Sequence, residues 1–407
     1  MKTDLLKFNS ICCQEWPHVT GNEPHILPIY NTSAFVFDDI QQGINIFEGK
    51  EKGFSYSRYD NPTLATTAEK LAALESIDLD DKAHCVLCGS GMGAISSLLY
   101  AVLEQGDTIL TQGDLYGGTT ELIQNHLNKF GIKFIVVDFN DLAAVKEILE
   151  KKTVKLIYIE TPSNPLLSVV DLKEVASLAK QHNIVTAIDN TFASCYLQRP
   201  LNYGIDYVIY STTKYLNGMG NALGGAIITR EEENYNKVWN VLKLNGTYCS
   251  PTDAWYLYNG LKTFPIRMDR HCANALALAQ FLEGHKFINK VNYPGLKSHP
   301  GHETAKNQMA AFGGMLSFEI DGTLAQVLEF MNSLKLATLA PTLGNVDTIL
   351  LHPATSSHLK VDKAQREKVG ITDSLVRVSV GIEDIEDLIH DFEQALNKVE
   401  GVTPNRP

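Results

Sequence analysis

The stretch Tyr207-Val208-Ile209-Tyr210-Ser211-Thr212-Thr213-Lys214 joins an apolar run to hydroxyl residues and a lone lysine. Such a run predicts a buried strand, which would place Lys214 just beyond the strand's carboxyl end. A lysine held there, beside donors that suit a phosphate, indicates a nucleophile that forms a Schiff base with a carbonyl group. Taken alone, the same residues are more often a solvated loop, so the interpretation depends on the rest of the chain.

A second apolar run, Thr186-Ala187-Ile188, leads to Asp189 at another predicted strand end. A carboxylate at that place keeps the ring nitrogen of a pyridoxal cofactor protonated, and the protonated ring then acts as an electron sink. An isolated aspartate after a strand is more often a helix cap or a turn residue. The two strand ends together favour the cofactor interpretation.

A glycine-rich segment, Gly89-Ser90-Gly91-Met92-Gly93, lies between the apolar run Cys85-Val86-Leu87-Cys88 and a helical pattern beginning at Ala94. Small residues between a strand and a helix allow backbone N–H groups and the helix dipole to bind a phosphate. Many glycine clusters are simply tight turns, so this motif is weak by itself.

Two more segments supply an amide and a guanidinium. Asn164 lies in Glu160-Thr161-Pro162-Ser163-Asn164-Pro165, directly after the strand-like Leu156-Ile157-Tyr158-Ile159. Arg377 interrupts the otherwise apolar run Leu375-Val376-Arg377-Val378-Ser379-Val380. A guanidinium is costly to bury without a partner, so a substrate carboxylate and a structural ion pair are both reasonable partners for it.

Apolar runs of strand length alternate with helical patterns from about residue 65 to 230, which predicts an α/β fold with a mostly parallel sheet covered on both faces. The C-terminal part fits a smaller α+β unit with an antiparallel sheet, and Pro265 marks a break between helices. The predicted domains are an extended N-terminal arm for subunit contact over 1–60, a cofactor domain over 61–258 and a C-terminal domain over 259–407.

Composition narrows the possible classes of protein. The chain has 407 residues, of which 44% are hydrophobic, and a formal net charge of -12, which argues against nucleic acid or an anionic membrane as a partner. Seven cysteines show no disulfide-scaffold pattern, and Cys85-x-x-Cys88 lacks a second pair, so reduced core thiols and no metal site are expected. The N-terminus lacks the apolar core of a secretion signal, and a cytoplasmic location is predicted.

In their order along the chain, these motifs resemble those of fold-type I pyridoxal phosphate enzymes of the cysteine and methionine metabolism family. The resemblance runs from about residue 18 to the C-terminus. The motifs that carry it are Tyr56-Ser57-Arg58 with Asn61-Pro62-Thr63, Gly89 to Met92, Tyr116-Gly117-Gly118-Thr119, Glu160 to Pro165, Asp189-Asn190-Thr191, Ser211 to Lys214, and Arg377.

The resemblance implies pyridoxal 5'-phosphate as cofactor and a role for each matching residue. Lys214 would bind the cofactor covalently and shuttle protons with help from Tyr116, which also stacks on the ring, while Asp189 would pair with the ring nitrogen. Asn164, near the ring hydroxyl, would hold the substrate carboxylate together with Arg377, and Thr342 would be a further substrate-binding residue. The phosphate would be bound by Gly91, Met92, Ser211 and Thr213, and by Tyr56 and Arg58 of a neighbouring subunit. The resemblance therefore also implies a homo-oligomer with shared active sites, and we expect a tetramer built as a dimer of dimers.

At some positions this chain differs from the subgroups of the family, and these differences limit the reactions that we expect of it. Pro341 stands where cystathionine-handling members usually carry a glutamate, and Gly118 stands where methionine gamma-lyases commonly carry a cysteine. Met219 replaces a usual histidine, with no consequence that the sequence reveals. We therefore expect, first, replacement of the acyl group of an O-acylhomoserine by a sulfur nucleophile. The alternatives are a methionine or cystathionine gamma-lyase and, less specifically, beta-elimination or transamination.

Overall fold

The computed structural model of the chain describes residues 6–14, 24–357, 359 and 363–399. Its strands form two sheets. The larger sheet has seven strands in the order β1-β7-β6-β5-β4-β2-β3. These strands are β1 (His84–Cys88), β2 (Thr108–Thr111), β3 (Lys133–Val136), β4 (Leu156–Glu160), β5 (Val185–Asp189), β6 (Tyr207–Tyr210) and β7 (Gly225–Thr229).

Neighbouring strands of the larger sheet run parallel except around β7, which is antiparallel to both β1 and β6. Alternate residues of β6 enter different hydrophobic cores, with Val208 on one face of the sheet and Tyr207 and Ile209 on the other. A strand that is buried on both faces must be apolar throughout, which explains the uninterrupted apolar runs in the sequence. The predicted α/β fold with a mostly parallel sheet is confirmed.

Helices cover both faces of this sheet and continue into the second half of the chain. They are α1 (Phe8–Cys13), α2 (Ile40–Phe47), α3 (Pro62–Glu75), α4 (Gly91–Val102), α5 (Gly117–Glu121), α6 (Leu142–Lys151), α7 (Leu172–Gln181), α8 (Ser194–Leu197), α9 (Glu232–Asn245), α10 (Pro251–Lys262), α11 (Phe264–Glu283), α12 (His302–Gln308), α13 (Leu324–Ser333), α14 (Lys363–Lys368) and α15 (Ile385–Val399). A π-helical turn spans Leu122–His126, and short 3-10 turns span Leu127–Phe130, Pro200–Tyr203 and Pro353–Thr355.

The smaller sheet has five strands in the order β10-β11-β12-β9-β8. Its pairs are antiparallel apart from β10 with β11, as expected for the C-terminal α+β unit. Helices α13 and α15 pack beside this sheet around a separate hydrophobic core. The strands are β8 (Ile288–Asn292), β9 (Met315–Ile320), β10 (Thr338–Leu339), β11 (Ile349–Leu351) and β12 (Leu375–Ser379).

Helix α11 joins the two halves. Its first turns contribute Phe264 and Met268 to the core of the larger sheet, and its later turns contribute Leu278 and Leu282 to the core of the smaller sheet. Pro265 lies in the first turn of α11, where its missing N–H has no intrahelical acceptor to lose, so the predicted break falls between α10 and α11. The domain boundaries at residues 60 and 258 stay predictions.

The N-terminal region differs in part from the extended arm that the sequence predicted. Residues 8–13 form helix α1, and Ile11 and Cys12 are buried in the main core. Helix α1 contacts α3, α10 and α11, and the burial of its apolar side chains against these helices favours the helical form. The predicted arm also includes residues 1–5 and 15–23, which lie outside the described residues.

The cysteines are free thiols, and burial raises the pKa of those in β1, Cys85 and Cys88. This agrees with the predicted core role of that pair. Among the helices of the described residues, none is both long and apolar enough to cross a membrane.

Three phenylalanines stabilise the core of the smaller sheet. Phe330 on α13 lies 5.8 Å from both Phe318 and Phe392, measured between ring centroids, and is fully buried. Phe330→Ala should lower the free energy of unfolding by about 3–5 kcal/mol, because the cavity left by the ring cannot close. Leu328→Ala, on the same helix but 39% exposed, should cost less than about 1 kcal/mol. Denaturant unfolding measures both, and equal losses would contradict this account of the core.

Candidate active site

The ends of strands β4, β5 and β6 open into a cavity of about 580 Å³. Carboxyl ends of parallel strands lie along the same edge of a sheet, so segments far apart in sequence meet there. Strand β12 of the smaller sheet and the segment after β10 close the other side. The lining residues are Ser90, Gly91, Met92, Ile95, Tyr116, Glu160, Asn164, Asp189, Thr191, Phe192, Ser211, Thr213, Lys214, Leu223, Pro341, Thr342, Leu343, Leu351, Ser356, Ser357 and Arg377.

Lys214 projects into this cavity from the turn after β6. Its Nζ donates a hydrogen bond to Thr342 Oγ1 at 3.2 Å. Burial and, to a smaller extent, the positive charge of Arg377 lower the pKa of Lys214 to about 8. A larger fraction of this amine is therefore neutral near pH 7–8 than in an ordinary lysine, as a nucleophile requires.

Asp189 is the last residue of β5 and is buried. Its Oδ1 accepts the backbone N–H of Thr191 at 3.0 Å, which fixes the carboxylate at the cavity wall. Burial raises the pKa of Asp189, because the charged form loses its water. A cationic partner such as a protonated ring nitrogen would compensate for that loss.

The glycine-rich segment begins helix α4 at Gly91. Ser90 caps the helix by accepting the N–H of Gly93 at 2.9 Å, whereas Gly91 and Met92 lie in the first turn, where backbone N–H groups have no intrahelical acceptor. Gly91 also leaves space, since a Cβ there would lie 2.8 Å from Ser211 Cβ. The backbone N–H groups of Gly91 and Met92, the nearby Ser211 hydroxyl and the space at Gly91 fit a phosphate group.

Arg377 is buried in β12 and is held by neutral groups. Its NH1 donates to Asn164 Oδ1 at 3.2 Å and its NH2 to the Thr342 carbonyl at 3.0 Å. Its Nε has no hydrogen-bond partner among the described residues, so the hydrogen bonds that these residues give its guanidinium are to neutral groups. A structural ion pair, the alternative left open by the sequence, is therefore not what the described residues provide. An anion that enters the cavity would meet an incompletely satisfied guanidinium.

Tyr116 stands at the mouth of the cavity, where its side chain is 42% exposed. A Cβ at Gly118 would lie 2.7 Å from the Tyr116 ring and 3.1 Å from Met92 Sδ. A larger residue at position 118 would therefore collide with the Tyr116 ring in its present position. Thr213 also lines the cavity, and its hydroxyl accepts the N–H of Gly224 at 3.0 Å. A lysine amine of lowered pKa, a buried carboxylate and a helix start suited to a phosphate line one cavity, and together they fit a phosphorylated pyridine aldehyde.

Tyr56 and Arg58 are the predicted site residues that do not line this cavity. The Arg58 guanidinium packs over the rings of Tyr56 and Tyr59, at 5.4 and 5.0 Å from their centroids, and donates to the carbonyl of Lys243. Their predicted contact with the phosphate of a neighbouring subunit stays a prediction.

The sequence assigns no role to several residues of the cavity wall. Glu160, the last residue of β4, belongs to the motif that contains Asn164, and its position at a strand end is the signal that marks it. Phe192, Leu223 and Leu351 are apolar residues whose approach depends on tertiary packing, and no local pattern marks them.

The fold and the site define an enzyme that uses pyridoxal 5'-phosphate. The chain belongs to the Cys/Met metabolism PLP-dependent enzyme family, which it matches over residues 17–397. The predicted family, fold type and cofactor are thereby confirmed, and an amino acid is the class of substrate.

Relatives within the family catalyse different reactions. The chain is 44% identical to the L-methionine gamma-lyase of Fusobacterium nucleatum, over 92% of this chain and 93% of that protein. It is 42% identical to the cystathionine beta-lyase of Lactococcus lactis, over 91% and 94%. The crystal structure of cystathionine gamma synthase from Xanthomonas oryzae in complex with cystathionine has a TM-score of 0.91 at 37% identity, covering 97% of this chain and 99% of that one.

The environment of Lys214 predicts the pH dependence of cofactor capture. Burial depresses the pKa, so the amine becomes neutral as the pH rises through about 8, rather than near the usual 10.4 of lysine. The rate at which the apoprotein shifts the absorbance of added pyridoxal phosphate to the longer wavelength of a Schiff base should therefore rise with an inflection near pH 8. Lys214→Ala should produce no such shift without an added amine. An inflection near pH 10, or the same shift in the variant, would contradict the assignment.

The buried guanidinium predicts how Arg377 acts on substrate binding. Arg377→Ala should raise KM for an amino-acid substrate roughly 10- to 100-fold, the equivalent of about 1.5–3 kcal/mol for a lost charged hydrogen bond. Arg377→Lys keeps the charge but not the forked geometry of the guanidinium, so its KM should lie between those of the unaltered enzyme and the alanine variant. Steady-state kinetics measure the effect, and an unchanged KM in the alanine variant would refute a role in carboxylate binding.

Proposed function

We propose that this enzyme is a carbon–sulfur gamma-lyase that cleaves methionine or a similar apolar thioether amino acid to a thiol, 2-oxobutyrate and ammonia. The observation that carries the proposal is the character of the cavity wall beyond its charged groups. Beside several hydroxyl residues, that wall is formed by apolar side chains that include Ile95, Phe192, Leu223, Pro341, Leu343 and Leu351.

The acidic side chains of this wall already have partners. Glu160 accepts two backbone N–H groups, and Asp189 accepts that of Thr191 and is proposed to face the ring nitrogen. Cystathionine carries a second amino-acid head at its far end, and that head would need a charged partner. A short apolar tail such as the thiomethyl group of methionine needs none, so Pro341 and its apolar neighbours favour methionine over cystathionine.

The proposed mechanism assigns a task to each anchored side chain. Bound pyridoxal phosphate supplies the electron sink that stabilises negative charge at the alpha carbon. Arg377 and Asn164 hold the substrate carboxylate, which orients the alpha C–H bond. The neutral amine of Lys214 takes that proton and can return it elsewhere on the substrate. Tyr116 provides a second proton-transfer group beside the departing sulfur, and water finally releases 2-oxobutyrate and ammonia.

A second candidate is gamma-replacement on an O-acylhomoserine, the first expectation from the sequence. Gly118 supports it, because a cysteine is common at that position in methionine gamma-lyases. The likeness to cystathionine gamma synthase supports it too. We place elimination first, because the relatives named as lyases are the more similar in sequence and the apolar wall suits one small substrate.

We also propose that the enzyme is a cytoplasmic homotetramer with shared active sites. The observation behind the shared sites is that Tyr56 and Arg58 lie outside this chain's own cavity although their motif matches that of phosphate-binding residues. The subunit contact would bring them to the phosphate of a neighbouring chain.

Product analysis tests the proposed reaction. The holoenzyme is incubated with L-methionine, O-acetylhomoserine, O-succinylhomoserine or L-cystathionine, each with and without sulfide or cysteine, and 2-oxobutyrate, pyruvate and amino-acid products are quantified. Release of 2-oxobutyrate and methanethiol from methionine alone is the expected result, with Lys214→Ala as the inactive control. Homocysteine or cystathionine formed only when an acyl ester and a thiol are both present would establish replacement instead. Pyruvate from cystathionine would indicate beta-elimination.

A further inference from the structure

Glu160 is a buried carboxylate that the proposed mechanism does not use. It ends strand β4 and is 5% exposed. Its Oε2 accepts the backbone N–H of Tyr116 at 2.8 Å, and its Oε1 accepts the backbone N–H of Asn164 at 2.9 Å. One side chain therefore bonds to the main chain of two residues that have separate proposed roles.

The two partners lie on different loops. Tyr116 follows β2 and leads into helix α5, and Asn164 follows β4. Asn164 is in turn bonded to Arg377, so a shift of its main chain would move the proposed carboxylate-binding pair. Glu160 thus connects the loop that carries the ring-stacking tyrosine with the loop that carries the substrate amide.

Glu160 is itself held firmly. Gln112 bonds to both main-chain groups of Glu160, accepting its N–H and donating to its carbonyl, each at 3.0 Å. Gln112 also donates to Asp114 Oδ1 at 3.0 Å. Because its main chain is fixed, the Glu160 side chain has little freedom to move. A residue that holds two loops in place needs such restraint.

The chemistry of the contact calls for a carboxylate. The two N–H donors reach different oxygens of Glu160, whereas a glutamine would present one oxygen and one NH2 group to them. Burial raises the pKa of Glu160, as does the charge of Asp189 on the adjacent strand, so keeping an acid here has a real electrostatic cost.

We infer that Glu160 is a positioning residue whose carboxylate fixes Tyr116 against the cofactor ring and Asn164 against the substrate carboxylate. This inference rests on the proposed roles of those two residues, but it is independent of whether the enzyme eliminates or replaces. Its loss would loosen both loops without removing any group that contacts the reacting atoms.

The test is Glu160→Gln in the holoenzyme, with two readouts that need no turnover. The first is the visible circular dichroism of the bound cofactor, which reports how the ring is held. The second is the affinity for L-norleucine, which has the length of methionine but no sulfur to eliminate, measured by its spectral titration. We expect a reduced dichroic band and a dissociation constant raised roughly 10- to 100-fold, since one loop amide then faces a donor.

Asp391→Asn is the matched control. Asp391 is also buried and accepts the backbone N–H groups of Lys335, Leu336 and Ala337, but it does not line the cavity. It should lower thermal stability and leave both readouts unchanged. Glu160→Asp keeps the charge but withdraws both oxygens from the two N–H groups. It serves as the test if Glu160→Gln fails to fold, and it too should weaken the dichroic band and the norleucine affinity.

Unaltered dichroism and norleucine affinity in the folded Glu160 variants would overturn the inference, as would changes equal to those of Asp391→Asn. Failure of the proposed lyase reaction would leave these readouts untouched, because neither of them depends on which products form.

Discussion

The site depends on one constraint, the cost of keeping charged groups away from water within a single cavity. Lys214, Arg377, Asp189 and Glu160 all line it, and apart from partly exposed Lys214 they are buried. Burial lowers the pKa of the two cations, to about 8 and about 10, and raises the pKa of the two acids. A cofactor with a cationic ring nitrogen and an amino-acid substrate with a carboxylate would compensate for much of this cost. The buried charges of the site are therefore expected to be stabilised by the cofactor and the substrate when these bind.

Much of the fold was predictable because its strands are buried on both faces. Runs such as Tyr207 to Tyr210 have no polar positions, and their spacing between helical patterns indicates a parallel sheet. The helix at residues 8–13 was missed because a six-residue segment carries too few turns to show a period. Its burial comes from contact with α3, α10 and α11, which a local pattern does not reveal.

The site was predictable where chemistry is tied to a strand end, as for Asp189 and Lys214. Short motifs mark the residues proposed to hold the cofactor, because most of them follow a predicted strand. The apolar wall is different, since Phe192, Leu223 and Leu351 reach the cavity from separate elements. On the proposed function that wall would meet the part of the substrate that differs between reactions, so the motifs indicate the cofactor more sharply than the reaction.

The residues proposed to hold the cofactor and the substrate carboxylate belong to different sheets. Lys214 follows β6 of the larger sheet, whereas Arg377 lies within β12 of the smaller one, and α11 connects their cores. On these proposed roles, a substrate whose amino end meets the cofactor beside Lys214 and whose carboxylate meets Arg377 would act as a temporary cross-link between the two halves of the molecule. The length of the amino-acid backbone, which is the same in every such substrate, would then set the separation of the halves in the bound state, whatever side chain is cleaved.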